Sequence, residues 1–201
     1  MTSPTRPLTK LLLPMLMGLL QACTAANPVV ETSPLVEQQR IEELQLAILS
    51  LDAGVDQREA RDAATIAIEY PLELARWYEI TDPPLVHNIK VNLGIKPRGL
   101  CVDWTTDLLN RLRKERFHSL DLHWGIANYQ NAFRIEHSTV IISAREQTMQ
   151  QGLVLDPWRN AGYLFWARTD EDPDYQWHPQ AEIHALKREQ KAQANSRPAP
   201  R

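Results

Sequence analysis

Along residues 35–51 the apolar side chains Val36, Ile41, Leu44, Ile48 and Leu51 recur at near-helical spacing, while Glu37, Arg40, Glu42 and Glu43 fall largely off that stripe. This pattern predicts an amphipathic helix. A second helix is predicted from Asp56, where Asp56-Gln57-Arg58-Glu59 has the form of a capping box, and runs through Ala60, Ala63, Ala64, Ala67 and Ile68 towards Tyr70. Pro71 is expected to kink it or to start the next helix, 72–79. Asp82-Pro83-Pro84 stops that helix, and 85–95 reads either as a short helix or as a connector. After a turn at Lys96-Pro97-Arg98-Gly99, the residues Trp104, Leu108, Leu109 and Leu112 line one side of a further helix, whose first turn holds Cys101.

Beyond Arg116 the period shortens from about 3.6 to 2. Leu120, Leu122, Trp124 and Ile126 alternate with Asp121, His123 and Gly125, and Phe133, Ile135, His137, Thr139 and Ile141 share one face of a second predicted strand. A third strand is expected over 153–158 and a fourth over 162–168. Helices first and an antiparallel meander afterwards define an α+β fold. The two aromatics of Tyr175-Gln176-Trp177-His178-Pro179 are read as sealing the core rather than covering a site, and 187–201, polar and proline-tipped, as a disordered tail.

Composition narrows this picture only slightly. The length of 201 residues suits one domain with short irregular ends, and a net charge of -3 gives no basic field for nucleic acid. The N-terminus changes it more. Arg6 and Lys10 precede an apolar run from Leu11 to Leu20 that ends in Leu20-Gln21-Ala22-Cys23. That run is shorter than the roughly 20 apolar residues a membrane span needs. It reads as a signal peptide over 1–22, cleaved before a lipidated, palmitate-bearing Cys23, with 23–34 as a tether and 35–186 as the domain. By resemblance to bacterial lipoproteins, Thr24 after the cysteine favours the outer membrane, facing the periplasm. The alternative is a plain secretory signal with a coincidental cysteine.

If Cys23 is lipidated, Cys101 has no disulfide partner within the chain. An unpaired thiol in an oxidising compartment calls for a reason. In a first helical turn, the free amides and the positive end of the dipole favour thiolate over thiol, and the same amides suit an oxyanion. His137 on a strand and Asp156 in Val154-Leu155-Asp156-Pro157-Trp158 follow in an order that can build nucleophile, base and orienting group, with Asp156 reaching the far ring nitrogen across neighbouring strands.

Gly99-Leu100-Cys101-Val102-Asp103-Trp104 at a helix start, Glu136-His137-Ser138-Thr139-Val140 on a strand and Val154-Leu155-Asp156-Pro157-Trp158 on the next together resemble the transglutaminase-like cysteine peptidases of the papain-like superfamily. The resemblance covers about Arg98 to Trp158. It implies a papain-like core with Cys101 as nucleophile, His137 as base and then acid, and Asp156 as orienter, acting on an amide or isopeptide bond of a peptide or protein substrate, without cofactor or metal. The chain departs from the family in having no recognisable substrate-binding module and no glycine-rich calcium loop.

Each residue also has a plainer reading. Cys101 can be an inert buried thiol, His137 a satisfied sheet histidine and Asp156 a turn residue before Pro157, which together leave a non-catalytic lipoprotein serving as a binding or scaffold module. His123 is the rival base, expected to point away from the core beside Asp121 as a solvated pair. His87, His118, His178 and His184 show no metal-ligand spacing. Trp104 and Trp158 are read as core, and Arg98 either lines the cleft or caps a turn.

Overall fold

Four helices precede the first long strand in the computed structural model, which describes residues 33–196. Helix α1 (Pro34–Leu49) starts where the Ser33 side chain accepts from the Val36 amide and Pro34 presets the first helical φ. Of its predicted stripe, Ile41, Leu44 and Ile48 are buried, as is Leu51 just past the helix, in one cluster with the alanine-rich face of α2 (Gln57–Trp77), whereas Val36 is exposed. Asp56 caps α2 by accepting from the amides of Arg58 and Glu59. Glu59 does not complete the box. Its carboxylate accepts instead from the amides of His118 and Ser119 and from the Ser119 hydroxyl, which ties the start of α2 to the start of the sheet.

Helix α2 passes through Pro71, so of the two outcomes expected there, a kink or a new helix over 72–79, the separate helix does not occur. An interior proline costs a helix roughly 3 kcal/mol. Leu74, Ala75 and Tyr78 are buried beyond it around Trp104, and burial of one leucine alone returns about 1.5–3 kcal/mol. The ambiguous stretch becomes α3 (Pro84–Asn92), which buries only His87. Helix α4 (Cys101–Arg113) buries Trp104, Leu108, Leu109 and Leu112, the stripe that its sequence predicts.

The sheet has five strands, all paired antiparallel: β1 (Leu120–Ala127), β2 (His137–Ala144), β3 (Leu153–Asp156), β4 (Phe165–Arg168) and β5 (His178–Pro179), in the order β4-β3-β2-β1-β5. The fold is therefore α+β. Strand β2 begins at His137, paired with Ala127, so Phe133 and Ile135 are not on it as expected; they are 99% and 47% exposed in the connecting loop. All eight positions of β2 are buried. Val140 and Ile142 pack with the helices, while Ile141 packs on the other face with Val154, Met149 and Trp177. Strand β3 stops at Asp156, because Pro157 has no N–H for the ladder, and a one-turn helix Trp158–Asn160 follows. Strand β4 is likewise shorter than expected.

The chain returns along β5 into α5 (Gln180–Ser196), so the stretch expected to be a disordered tail from Lys187 is helical as far as Ser196. The expected signal peptide, the expected lipidation site Cys23 and the expected tether up to residue 32 lie outside the described residues, as do 197–201. Among the described residues no helix is long and apolar enough to cross a membrane.

Candidate active site

The turn before α4 is built to aim the helix. Gly99 has φ +124°, and a Cβ there would lie 2.5 Å from His87 Nε2, so neither the backbone nor the space suits a larger residue. His87 Nε2 stands 2.9 Å from the Arg98 carbonyl. Asp103 Oδ2 accepts from the amides of Gly99 and Leu100, each at 3.0 Å, and Trp104 Nε1 donates to the Gly99 carbonyl at 3.0 Å. Arg98 pairs with Asp103 and Asp107, so it braces the helix start. Cys101 is consequently the first residue of α4, where backbone amides lack partners within the helix.

His137 and Asp156 come together across the sheet. The register Ile141 with Val154 makes Asp156 a diagonal neighbour of His137 on one face. Nε2 of His137 lies 2.7 Å from Asp156 Oδ2, and both side chains are 0% exposed. A carboxylate only accepts, so Nε2 carries the proton and Nδ1 is left for the thiol. Nδ1 has no hydrogen-bond partner of its own, while the Cys101 thiol lies close enough for each group to shift the other's titration. Sγ itself is 3.7 Å from the Glu136 carbonyl oxygen.

Those titrations move in opposite directions. Burial opposes the charged form of both groups. For His137, Asp156 and then the thiol overcome that penalty and raise the imidazole to about 9. For Cys101, the imidazole and Ser138 overcome it and hold the thiol below its usual value. A lowered thiol beside a raised imidazole is the signature of a thiolate–imidazolium pair.

Aromatic rings enclose the imidazole. Trp158, Tyr175 and Trp177 lie at centroid distances of 4.6, 4.8 and 5.4 Å from it. Trp158 is buried in the cluster with Leu74, Tyr78 and Trp104, as read from the sequence, and also packs on the imidazole, held by its Nε1 donating to Asn88 Oδ1 at 3.1 Å. Trp104 is core as expected. Trp177 seals the lower face of the sheet as expected and touches the imidazole as well. Cys101, His137 and Ser138 open into a cleft of about 350 Å³ whose other walls include Asn88, Trp124, Gln180 and His184. Trp124 Nε1 is buried there without an acceptor.

The rival base is placed elsewhere. His123 Nε2 lies 2.8 Å from Ser143 Oγ, and burial lowers its pKa against the opposing charge of Asp121. Asp121 itself accepts from Arg145 and the Glu146 amide, so the expected solvated pair with His123 is replaced by bonds across the hairpin. Asn128 and Asn131 shape the loop before β2. Among the described residues no group of His, Cys, Asp and Glu is arranged to hold a metal ion.

Two features escaped the sequence reading. His184 reaches the cleft from α5, an element not anticipated. Arg159 donates through Nε to Asp156 Oδ2 at 3.2 Å; its position three residues after the aspartate, in a turn opened by Pro157, was the available signal. No known protein family, curated protein or solved structure matches the chain.

Proposed function

We propose that this protein is an envelope lipoprotein with a transglutaminase-like, papain-like core, and that it cleaves an amide or isopeptide bond by covalent thiol catalysis. The observation that carries the reading is that Cys101, on a helix N-terminus, lines one cleft with His137, whose ring meets the buried Asp156 carboxylate at 2.7 Å. Sγ attacks the carbonyl carbon, and the amide N–H groups at the start of α4 face the oxygen as it becomes anionic. The His137 imidazolium then gives its Nδ1 proton to the departing amine as the C–N bond breaks, leaving a thioester on Cys101. Water attacks that thioester, Nδ1 takes its proton, and the acid and the thiolate are released. Asp156 keeps the ring oriented and its charge balanced throughout.

Hydrolysis is favoured over crosslinking, and peptides of the cell envelope are the substrates that the anchor would bring within reach. The anchor at Cys23 would hold the domain at the outer membrane, facing the periplasm. The rival reading is a binding or scaffold module that keeps the fold without catalysis. It draws on the complete burial of the His137 ring. Purified protein incubated with envelope peptides is expected to release new amines, detected by mass spectrometry, and Cys101→Ala to release none. Identical peptide profiles for wild type and Cys101→Ala, together with a thiol that reacts only after unfolding, would favour the scaffold.

A further inference from the structure

Arg159 lies between the carboxylate that orients the base and the loop that covers it. Its backbone amide is 3.3 Å from Asp156 Oδ1 and its Nε 3.2 Å from Oδ2, so both oxygens of Asp156 are held, while Oδ2 also receives His137. The other edge of the guanidinium grips Asp172 through Nη1 at 3.0 Å and Nη2 at 2.7 Å, and Asp174 through Nη1 at 3.2 Å. Its faces are covered by Phe165 at 3.8 Å and Tyr175 at 4.7 Å. Asp172 accepts in turn from Trp177 Nε1 at 2.8 Å. Tyr175 and Trp177 are two of the rings against the imidazole. One side chain, 12% exposed, thus connects two fully buried carboxylates, one bonded to the His137 ring and the other to Trp177, which packs against that ring.

We propose that Arg159 is a positioning residue of this site: it fixes Asp156 facing His137 and, through Asp172, sets how much of the Asp156 charge the imidazole feels. The inference rests on the Cys101–His137–Asp156 reading above. The ionisable groups around the ring are Cys101 from α4, Asp156 from β3 and Tyr175 from the loop, with Glu136 preceding it on the chain, His184 of α5 in the same cleft and Arg134 over Tyr175. Of these, Asp156 is the carboxylate bonded directly to the ring, and the buried cation that bonds it, which also lies over Tyr175, is itself held by two further acids. An unopposed Asp156 would hold the imidazolium proton too tightly for transfer to a leaving amine. Loss of Arg159 and loss of Asp172 therefore act on His137 in opposite directions, which a purely structural tie would not do.

The test is the titration of the His137 ring C–H signals by NMR in the full chain held in detergent micelles, assigned by their absence in His137→Gln. Arg159→Met is expected to move the His137 midpoint up by about one pH unit, the scale of a nearby opposite charge gained or lost. Asp172→Asn keeps an acceptor for Trp177 but frees Arg159 for Asp156, and is expected to move the midpoint down. Arg159→Lys, which keeps the charge without the two-sided fork, is expected between wild type and Arg159→Met. Should Arg159→Met fail to fold, Arg159→Met/Asp172→Asn removes one charge of each sign, and its midpoint is expected above that of Asp172→Asn. Midpoints that stay put, or that move the same way in Arg159→Met and Asp172→Asn, overturn the proposal. The readout does not depend on thiol reactivity. An inert Cys101 with opposite shifts would remove the hydrolase reading and leave the network, whereas a reactive Cys101 with unmoved midpoints would do the reverse.

Discussion

His137 Nε2 and Asp156 Oδ2 meet at 2.7 Å with neither side chain reaching solvent. A buried carboxylate needs compensating partners, and Asp156 has the imidazole on one side and Arg159 on the other. The pair therefore has consequences for both reactivity and stability.

Removing that carboxylate should leave the imidazole buried, unoriented and harder to protonate. Asp156→Ala is expected to slow iodoacetamide alkylation of Cys101 at pH 6 by about tenfold or more, the effect of losing an opposite charge beside an ionisable group. Circular dichroism would confirm the retained fold. An unchanged rate in a folded variant would move the orienting role to another residue.

Cys101 itself should ionise below the ordinary thiol value of about 8.5. Alkylation rates followed against pH are expected to rise early in wild type and to shift towards that value in His137→Ala, which removes the main group opposing the burial penalty. Equal midpoints near the free-thiol value in both proteins would falsify the thiolate–imidazolium pair.

Stability should depend on pH through two opposed linkages. His137 is raised on folding to about 9, so its contribution is full below its unfolded value near 6.5 and is lost as pH rises through about 9. Cys101 is lowered on folding, so its contribution is full above the unfolded thiol value and is lost as pH falls through the folded one. Across neutral pH the proton gained by His137 offsets the one released by Cys101. Wild type is expected to show a nearly flat denaturation midpoint from pH 7 to 8.5. Cys101→Ala keeps Asp156, the main cause of the raised imidazole, and its stability is expected to fall over the same range, with a slope approaching about 1.4 kcal/mol per pH unit. A slope of the opposite sign in Cys101→Ala would contradict the direction assigned to His137.

Gly99→Ala should disturb the site from behind. The new Cβ meets His87 Nε2 at 2.5 Å and the φ of +124° is strained for alanine. A loss of about 1–3 kcal/mol in chemical denaturation is expected, with slower alkylation at pH 6 because the α4 N-terminus moves. A variant as stable and as reactive as wild type would show that the turn relaxes freely.

Fatty-acyl labelling in cells is expected to mark the wild-type chain and to be lost in Cys23→Ser. Label that persists would turn the Leu20-Gln21-Ala22-Cys23 box into an ordinary stretch of a secretory signal.

Much of this molecule was readable in one dimension because its signals are local. Helical stripes such as Trp104, Leu108, Leu109 and Leu112 are set by a period that the chain carries with it, and Cys101 follows from a glycine turn placed before such a stripe. The order Cys101, His137, Asp156 was equally visible, as was the change to a period of 2 after Arg116. What the sequence could not decide is whatever depends on which surface is covered. Alternation along β2 cannot reveal that both of its faces are buried, since that is settled by the helices on one side and by Trp177, Met149 and Val154 on the other. The helicity of α5 past Lys187 shows no strong amphipathic stripe, and only Ile183 is a buried anchor along its exposed length. Arg159 has Asp156 as its one acidic neighbour nearby along the chain, and nothing local marks it for burial; the fold makes it the cation between two buried carboxylates, because only folding removes the water that would otherwise screen them.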